Sequence, residues 1–173
     1  MDGVLLLFVA IAMIVLPVKL VMNSNQRKEE LREDEYEDEG LEYEGIKYFG
    51  NFIGGFKDIG YCEFLRVDFF KDRIGIEIKD LKKDIKENRY IKLNDVLDVK
   101  IQTETQIKES VSIGKLLVFG ILSFGMKGNE KTLIDEYVVM KVVYNNDELN
   151  LIFKMSDSYN FIKDINRFKE EYL

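Results

Sequence analysis

Tyr137-Val138-Val139-Met140-Lys141-Val142-Val143-Tyr144, the turn residues Asn145-Asn146-Asp147, and Leu149-Asn150-Leu151-Ile152-Phe153 decide the fold of this chain. Two runs rich in β-branched and aromatic residues, parted by residues that favour tight turns, predict a β-hairpin. Beyond the hairpin the period changes. Ser156-Asp157-Ser158 supplies N-cap chemistry, and Phe161/Ile162, Ile165, Phe168 and Tyr172 then recur at three- and four-residue spacing. Lys163, Asp164, Lys169 and Glu170 take the other faces. This pattern predicts an amphipathic helix of about four turns whose apolar stripe needs a sheet to cover.

Upstream of the hairpin the period stays near two. Ile46-Lys47-Tyr48-Phe49 runs into Gly50 and the Gly54-Gly55 pair, which predicts a short strand and a turn. Phe64-Leu65-Arg66-Val67-Asp68-Phe69 alternates, Lys71-Asp72 turns, and Ile74-Gly75-Ile76-Glu77-Ile78 alternates again. Tyr90-Ile91-Lys92-Leu93 and Val96-Leu97-Asp98-Val99-Lys100-Ile101 continue the series. The intervening Lys79–Arg89 stretch carries five basic and three acidic residues, and reads as a solvated hairpin loop rather than an electrostatic patch.

Taken in order, these pieces resemble the pleckstrin-homology-like fold, and more closely the bacterial PH-like (GRAM-like) domains. Lys47-Tyr48-Phe49-Gly50-Asn51-Phe52-Ile53-Gly54-Gly55-Phe56 is similar to that family's Tyr-x-Gly-Gly opening. Lys71-Asp72-Arg73-Ile74-Gly75-Ile76 looks like its second-strand turn, and Ile91-Lys92-Leu93-Asn94-Asp95-Val96 resembles the stretch that ends a later strand. Val111-Ser112-Ile113-Gly114-Lys115-Leu116-Leu117-Val118-Phe119-Gly120 is similar to the segment that interrupts the family's sheet. The resemblance covers residues 46–173 and implies a bent antiparallel β-roll plugged by the C-terminal helix. It also implies a membrane-associated binding scaffold without a common ligand. Where phosphoinositide-reading relatives cluster Lys and Arg in the first hairpin loop, Lys57-Asp58-Ile59-Gly60 has one Lys offset by an Asp. The chain also has no Trp, which that helix usually carries.

The other end of the chain reads as membrane. From Gly3 to Met22 the only charge is Lys19, and Val4 to Leu16 contains no polar residue. Twenty helical residues span about 30 Å, the thickness of a hydrocarbon core. The eleven Leu, Ile, Val and Phe residues between Val4 and Val18 favour insertion, by about 3–7 kcal/mol in all. A cleaved signal peptide would carry a basic leading region and a small-residue cleavage site; here the early charge is Asp2, and Val21-Met22-Asn23-Ser24 suits cleavage poorly. A buried soluble helix would carry a polar stripe. Lys19, Arg27, Lys28 and Arg32 all flank the C-terminal end, which predicts the N-terminus outside and the rest in the cytoplasm.

Charge divides what remains. Residues 1–45 hold four basic and eleven acidic residues, a net −7 equal to that of the whole chain, so residues 46–173 balance. The acidic block from Glu29 to Gly45 is too charged to bury a core and reads as extended chain or frayed helix, a solubilising spacer rather than a motif for a basic partner. These pieces predict an α+β chain: a transmembrane anchor helix over 1–24, an acidic linker over 25–45 and a PH-like domain over 46–173.

Functional residues are sparse. The chain has no His, and no phosphate-binding loop, nucleophile elbow or Cys pair, so the sequence points away from an enzyme, a cofactor and a metal site. A balanced charge without a basic stripe points away from nucleic acid. The lone Cys62 reads as a small apolar core residue. Leu116 to Met126, flanked by Lys115 and Lys127, is too short to span a bilayer. It offers Phe119, Leu122 and Phe124 for insertion at a lipid surface with Lys115 and Lys127 on phosphates, or it is core or a self-association contact. The expected function is a non-catalytic scaffold that holds a protein partner, or a second copy of itself, at the inner membrane face. The alternative is a peripheral lipid sensor that inserts the 115–127 segment.

Overall fold

Asn145 and Asn146 take positive φ values of 52° and 65°, and Tyr144 pairs directly with Asp147 across them. Consecutive left-handed residues in a two-residue loop define a type I′ turn, whose twist matches that of the strands it joins. In the computed structural model, which describes residues 21–37, 39–80, 85–110 and 136–173, this turn connects β6 (Glu136–Tyr144) to β7 (Asp147–Met155).

The chain divides into two compact units at Tyr43/Glu44. In the first, residues 21–37 are helical (α1), so the acidic block is helix through most of its length rather than extended chain. Gly40, at φ 70°, ends it: its N–H donates to Glu37 O at 2.9 Å while Leu41 N–H donates to Tyr36 O at 2.8 Å. That pair of bonds is a Schellman ending, which satisfies carbonyls the helix would otherwise leave open. The predicted anchor over 1–24 falls outside the described residues except for its last four. Among the described residues no helix is long and apolar enough to cross a membrane.

The second unit is α+β. Its sheet contains β1 (Tyr43–Gly54), β2 (Cys62–Phe70), β3 (Arg73–Asp80), β4 (Ile85–Lys92) and β5 (Val96–Thr103), with β6 and β7. The seven strands lie in the order β4-β3-β2-β1-β7-β6-β5. Four pairings whose registers are defined, β2–β3, β3–β4, β5–β6 and β6–β7, join sequence neighbours; the β1–β7 pair joins the two ends of the unit, Gly50 opposite Met155 and Phe52 opposite Phe153. The first strand is longer than its sequence predicts, because pairing with β7 carries it through Gly50 to Gly54. The Lys79–Arg89 stretch is likewise mostly strand: its two ends belong to β3 and β4, and Lys79 pairs with Lys86.

Alternation sorts the side chains into two faces. Leu65, Val67, Phe69, Ile74, Ile76, Ile78, Val138, Met140, Leu151 and Phe153 are buried on one face in a single core with Cys62 and the C-terminal helix. That helix, α3 (Ser158–Tyr172), is capped by Asp157, whose side chain accepts from Asn160 N–H, and it buries Phe161, Ile165 and Phe168. Phe161 meets Tyr48 edge-on at 5.2 Å between ring centroids, and Phe168 meets Phe69 at 5.1 Å. Tyr48 also donates to Asp164 at 2.6 Å, fastening β1 to α3.

The sheet bends back on itself. Arg89 on β4 reaches the Tyr144 hydroxyl on β6, although four strands separate these two in the sheet order. Phe56, just after β1, packs edge-on against the same Tyr144 at 5.3 Å. On the opposite face a second cluster gathers Ile53, Tyr137, Val139 and Ile152 beneath Ile107 of a short helix, α2 (Glu104–Ser110). This helix is entered through a reciprocal cap in which Thr103 Oγ accepts from Gln106 N–H and Gln106 Oε1 accepts from Thr103 N–H.

Candidate functional site

The segment singled out by sequence lies between the end of α2 and the start of β6. Lys115, Phe119, Leu122, Phe124 and Lys127 all fall within 111–135, outside the described residues. Two other places bring charged and aromatic groups together.

The first lies where the β1–β2 loop meets β4 and the β6–β7 turn. Lys57 Nζ is 2.6 Å from Asp147 Oδ2, and Arg89 is 2.5 Å from Asp58 Oδ2. Arg89 also lies over the Phe56 ring, 5.1 Å from its centroid. Burial works against its charge, but the hydrogen bonds to Asp58 and Tyr144 outweigh that and hold the guanidinium above its ordinary range. In return the Arg89 hydrogen bond holds the Asp58 carboxyl below its ordinary 3.8. Lys57 and Arg89 are thus each engaged by a carboxylate, and an incoming phosphate would have to compete with both.

The second is the face of β2 and β3 turned away from the core. Strand alternation puts Phe64, Arg66, Asp68 and Phe70 on that face, with Glu77 opposite Arg66 and Lys79 opposite Phe64. The polar residues among them read in sequence as a solvated face. They are instead buried: Arg66 is 3% exposed, Asp68 2% and Glu77 4%. Arg66 Nε donates to both Asp68 oxygens at 2.8 Å, and Lys79 Nζ is 2.6 Å from Glu77 Oε1. Lys79 also lies 5.0 Å from the Phe64 ring centroid, and Arg66 lies 5.8 Å from that of Phe49. Burying charges is tolerable only with close partners of this kind. Sequence holds one signal for it, an Arg-x-Asp pair on one strand face between Phe64 and Phe70, where a solvated face would not keep large aromatics at both ends.

Chemically these arrangements fit binding and positioning. Among the described residues no group of three or more His, Cys, Asp or Glu side chains is placed to hold a metal ion. Cys62 is buried in the core, its Sγ 3.6 Å from Gly60 O, so it packs as the small apolar residue its sequence context predicts.

Comparison with family models, with curated proteins and with solved structures finds no match to this chain. Any functional reading therefore rests on its own residues.

Proposed function

We propose that this chain is a non-catalytic, membrane-tethered scaffold that presents a PH-like domain at the inner membrane face. The observation that carries the domain part is the architecture of the second unit: seven antiparallel strands bent around one core, followed by one C-terminal helix whose Phe161, Ile165 and Phe168 fill it. An antiparallel sheet followed by a closing helix supports the bent β-roll that the resemblance implies. The tether rests on sequence, on the apolar run from Gly3 to Met22 and the basic residues behind it. The loop-end ion pairs Lys57–Asp147 and Arg89–Asp58 favour a protein ligand over a phosphoinositide, since both cations are already engaged.

Sidedness and ligand class are separable by experiment. A cysteine introduced at the exposed Asn166 of the full chain should react with a membrane-impermeant maleimide only after cells are opened; labelling in intact cells overturns the orientation. Liposome flotation of residues 46–173 tests the alternative, a lipid sensor that inserts Phe119, Leu122 and Phe124 while Lys115 and Lys127 meet headgroups. Flotation that vanishes on Phe119→Ser and Phe124→Ser, with the fold intact by circular dichroism, replaces the scaffold reading with the sensor. Absence of flotation, with a protein captured by the full-length chain, supports the scaffold.

A further inference from the structure

The strand order leaves β5 at one end of the sheet, so among the described residues its outer edge pairs with no strand. Such an edge carries unpaired N–H and C=O groups and is a template for another chain. Both ends of this edge are closed. Lys169 Nζ on α3 donates to Val96 O at 2.5 Å, and Thr103 is occupied in the cap of α2. Between them Leu97, Asp98 and Lys100 are exposed, Leu97 at 46%, an unusual position for a large apolar side chain on a sheet edge. A β-bulge against β6 falls between Val96 and Asp98, which leaves the stretch from Asp98 onward regular.

We infer that β5 is a self-association edge, where two copies of this chain pair antiparallel about a two-fold axis through Val99. The register follows from charge. A two-fold axis perpendicular to a sheet sets the residue on the axis opposite itself, and residues equally spaced on either side opposite one another. An axis through Asp98 opposes two Asp98 carboxylates, and an axis through Lys100 opposes two Lys100 ammonium groups. An axis through Val99 instead opposes Asp98 of each copy to Lys100 of the other, twice. Opposite charges directly across a ladder stabilise it and like charges destabilise it. Within one copy Asp98 and Lys100 already lie 3.2 Å apart on the same face, and both side chains are half-exposed, so a second copy would close this pair into a square of four alternating charges. An edge this short makes a weak dimer, with a dissociation constant of micromolar order. This inference goes beyond the scaffold reading and does not depend on it, since a monomeric chain could still hold a partner at the membrane.

The test is the dimer dissociation constant of the full-length chain, in detergent, by sedimentation equilibrium. Wild type should dimerise. Lys100→Asp, which sets a carboxylate at position 100 against Asp98 of the other copy twice, should weaken the dimer by about tenfold or more, because two attractive pairs become two repulsive ones. Asp98→Lys combined with Lys100→Asp restores opposite charges across the axis, and should return the constant to within about threefold of wild type. Thermal melts check that each variant is folded. Should Lys100→Asp fail to fold, co-expression of an Asp98→Cys chain with a Lys100→Cys chain decides instead, since only the Val99 register brings these cysteines face to face; a mixed disulfide is expected once copper–phenanthroline, as oxidant, is added to the purified protein. Wild type that stays monomeric to about 100 µM, a dimer indifferent to Lys100→Asp, a double reversal that does not rescue, or no mixed disulfide each overturns the proposal.

Discussion

Asp68 holds Arg66 through both of its oxygens on a sheet face where each residue is at most 3% exposed. Truncating one member of such a pair leaves the other charge buried without its bidentate partner, a loss of about 3–5 kcal/mol. Asp68→Ala should therefore lower the urea midpoint sharply, while the double variant Arg66→Met/Asp68→Leu should recover much of the loss. This feature is illegible in sequence for a physical reason: period-two alternation assigns residues to faces but does not say whether water reaches the polar one. Two single groups give the unit opposite pH limits. Burial, and then the hydrogen bond to Asp164, push the Tyr48 phenol above its ordinary 10. The neutral phenol thus contributes stability in full below pH 10 that is lost as pH rises beyond it. Tyr48→Phe should lower stability by about 1–2 kcal/mol at pH 7 and flatten the alkaline decline measured by denaturation above about pH 10. Asp58 has the reverse sign. Its carboxyl sits below 3.8, so its contribution is present above that pH and disappears as pH falls through the lowered value. Asp58→Asn should shallow the loss of stability as pH falls below about 4.

Elements differ in how openly they declare themselves. The β6–β7 hairpin and α3 are legible because every local signal agrees: β-branched strands, an Asn-Asn turn, an Asp N-cap and a stripe at helical spacing. That cap is open to measurement. Asp157 accepts from Asn160 N–H at 3.2 Å, and Asp157→Ala should lower stability by about 1 kcal/mol, or the melting temperature by about 3–5 °C. Asp157→Ser should retain most of it. α2 escapes a reading of the sequence although its cap is there as Thr103-Glu104-Thr105-Gln106, because seven residues are too few to show a helical stripe. The first part of β4, up to Arg89, reads as loop because the residues it turns toward the core include Glu87 and Arg89 in place of apolar ones. Arg89 is tolerated there only because Phe56, Asp58 and Tyr144 receive it, and these come from other parts of the chain. A strand whose inner face depends on distant partners carries no local period to read.

At the scale of the molecule the same limit takes its strongest form, since the pairing that closes the sheet is between its first and last strands. Lys154 O and Met155 Cα crowd the place where a side chain on Gly50 would stand, so the glycine that reads as a turn in sequence is the point where β7 lies against β1. Gly55 is the true break: its φ of +131° and the 2.5 Å that would separate a Cβ from Asn150 O leave room for no other residue. Among the described residues, the members of both apolar clusters all lie between Ile46 and Tyr172. A chain of residues 44–173 should therefore unfold in one cooperative transition by calorimetry, with equal calorimetric and van't Hoff enthalpies. Ending the chain at Asp157 removes Phe161, Ile165 and Phe168 and uncovers Tyr48, Phe69 and Phe153, which α3 packs against. That shorter chain should bind a hydrophobic dye and show no sharp transition. A gradual melt of 44–173 would mean that the first forty-three residues belong to the core after all. A sharp melt without α3 would mean that the bent sheet closes on its own aromatic residues, and that the helix is free to serve as a docking element.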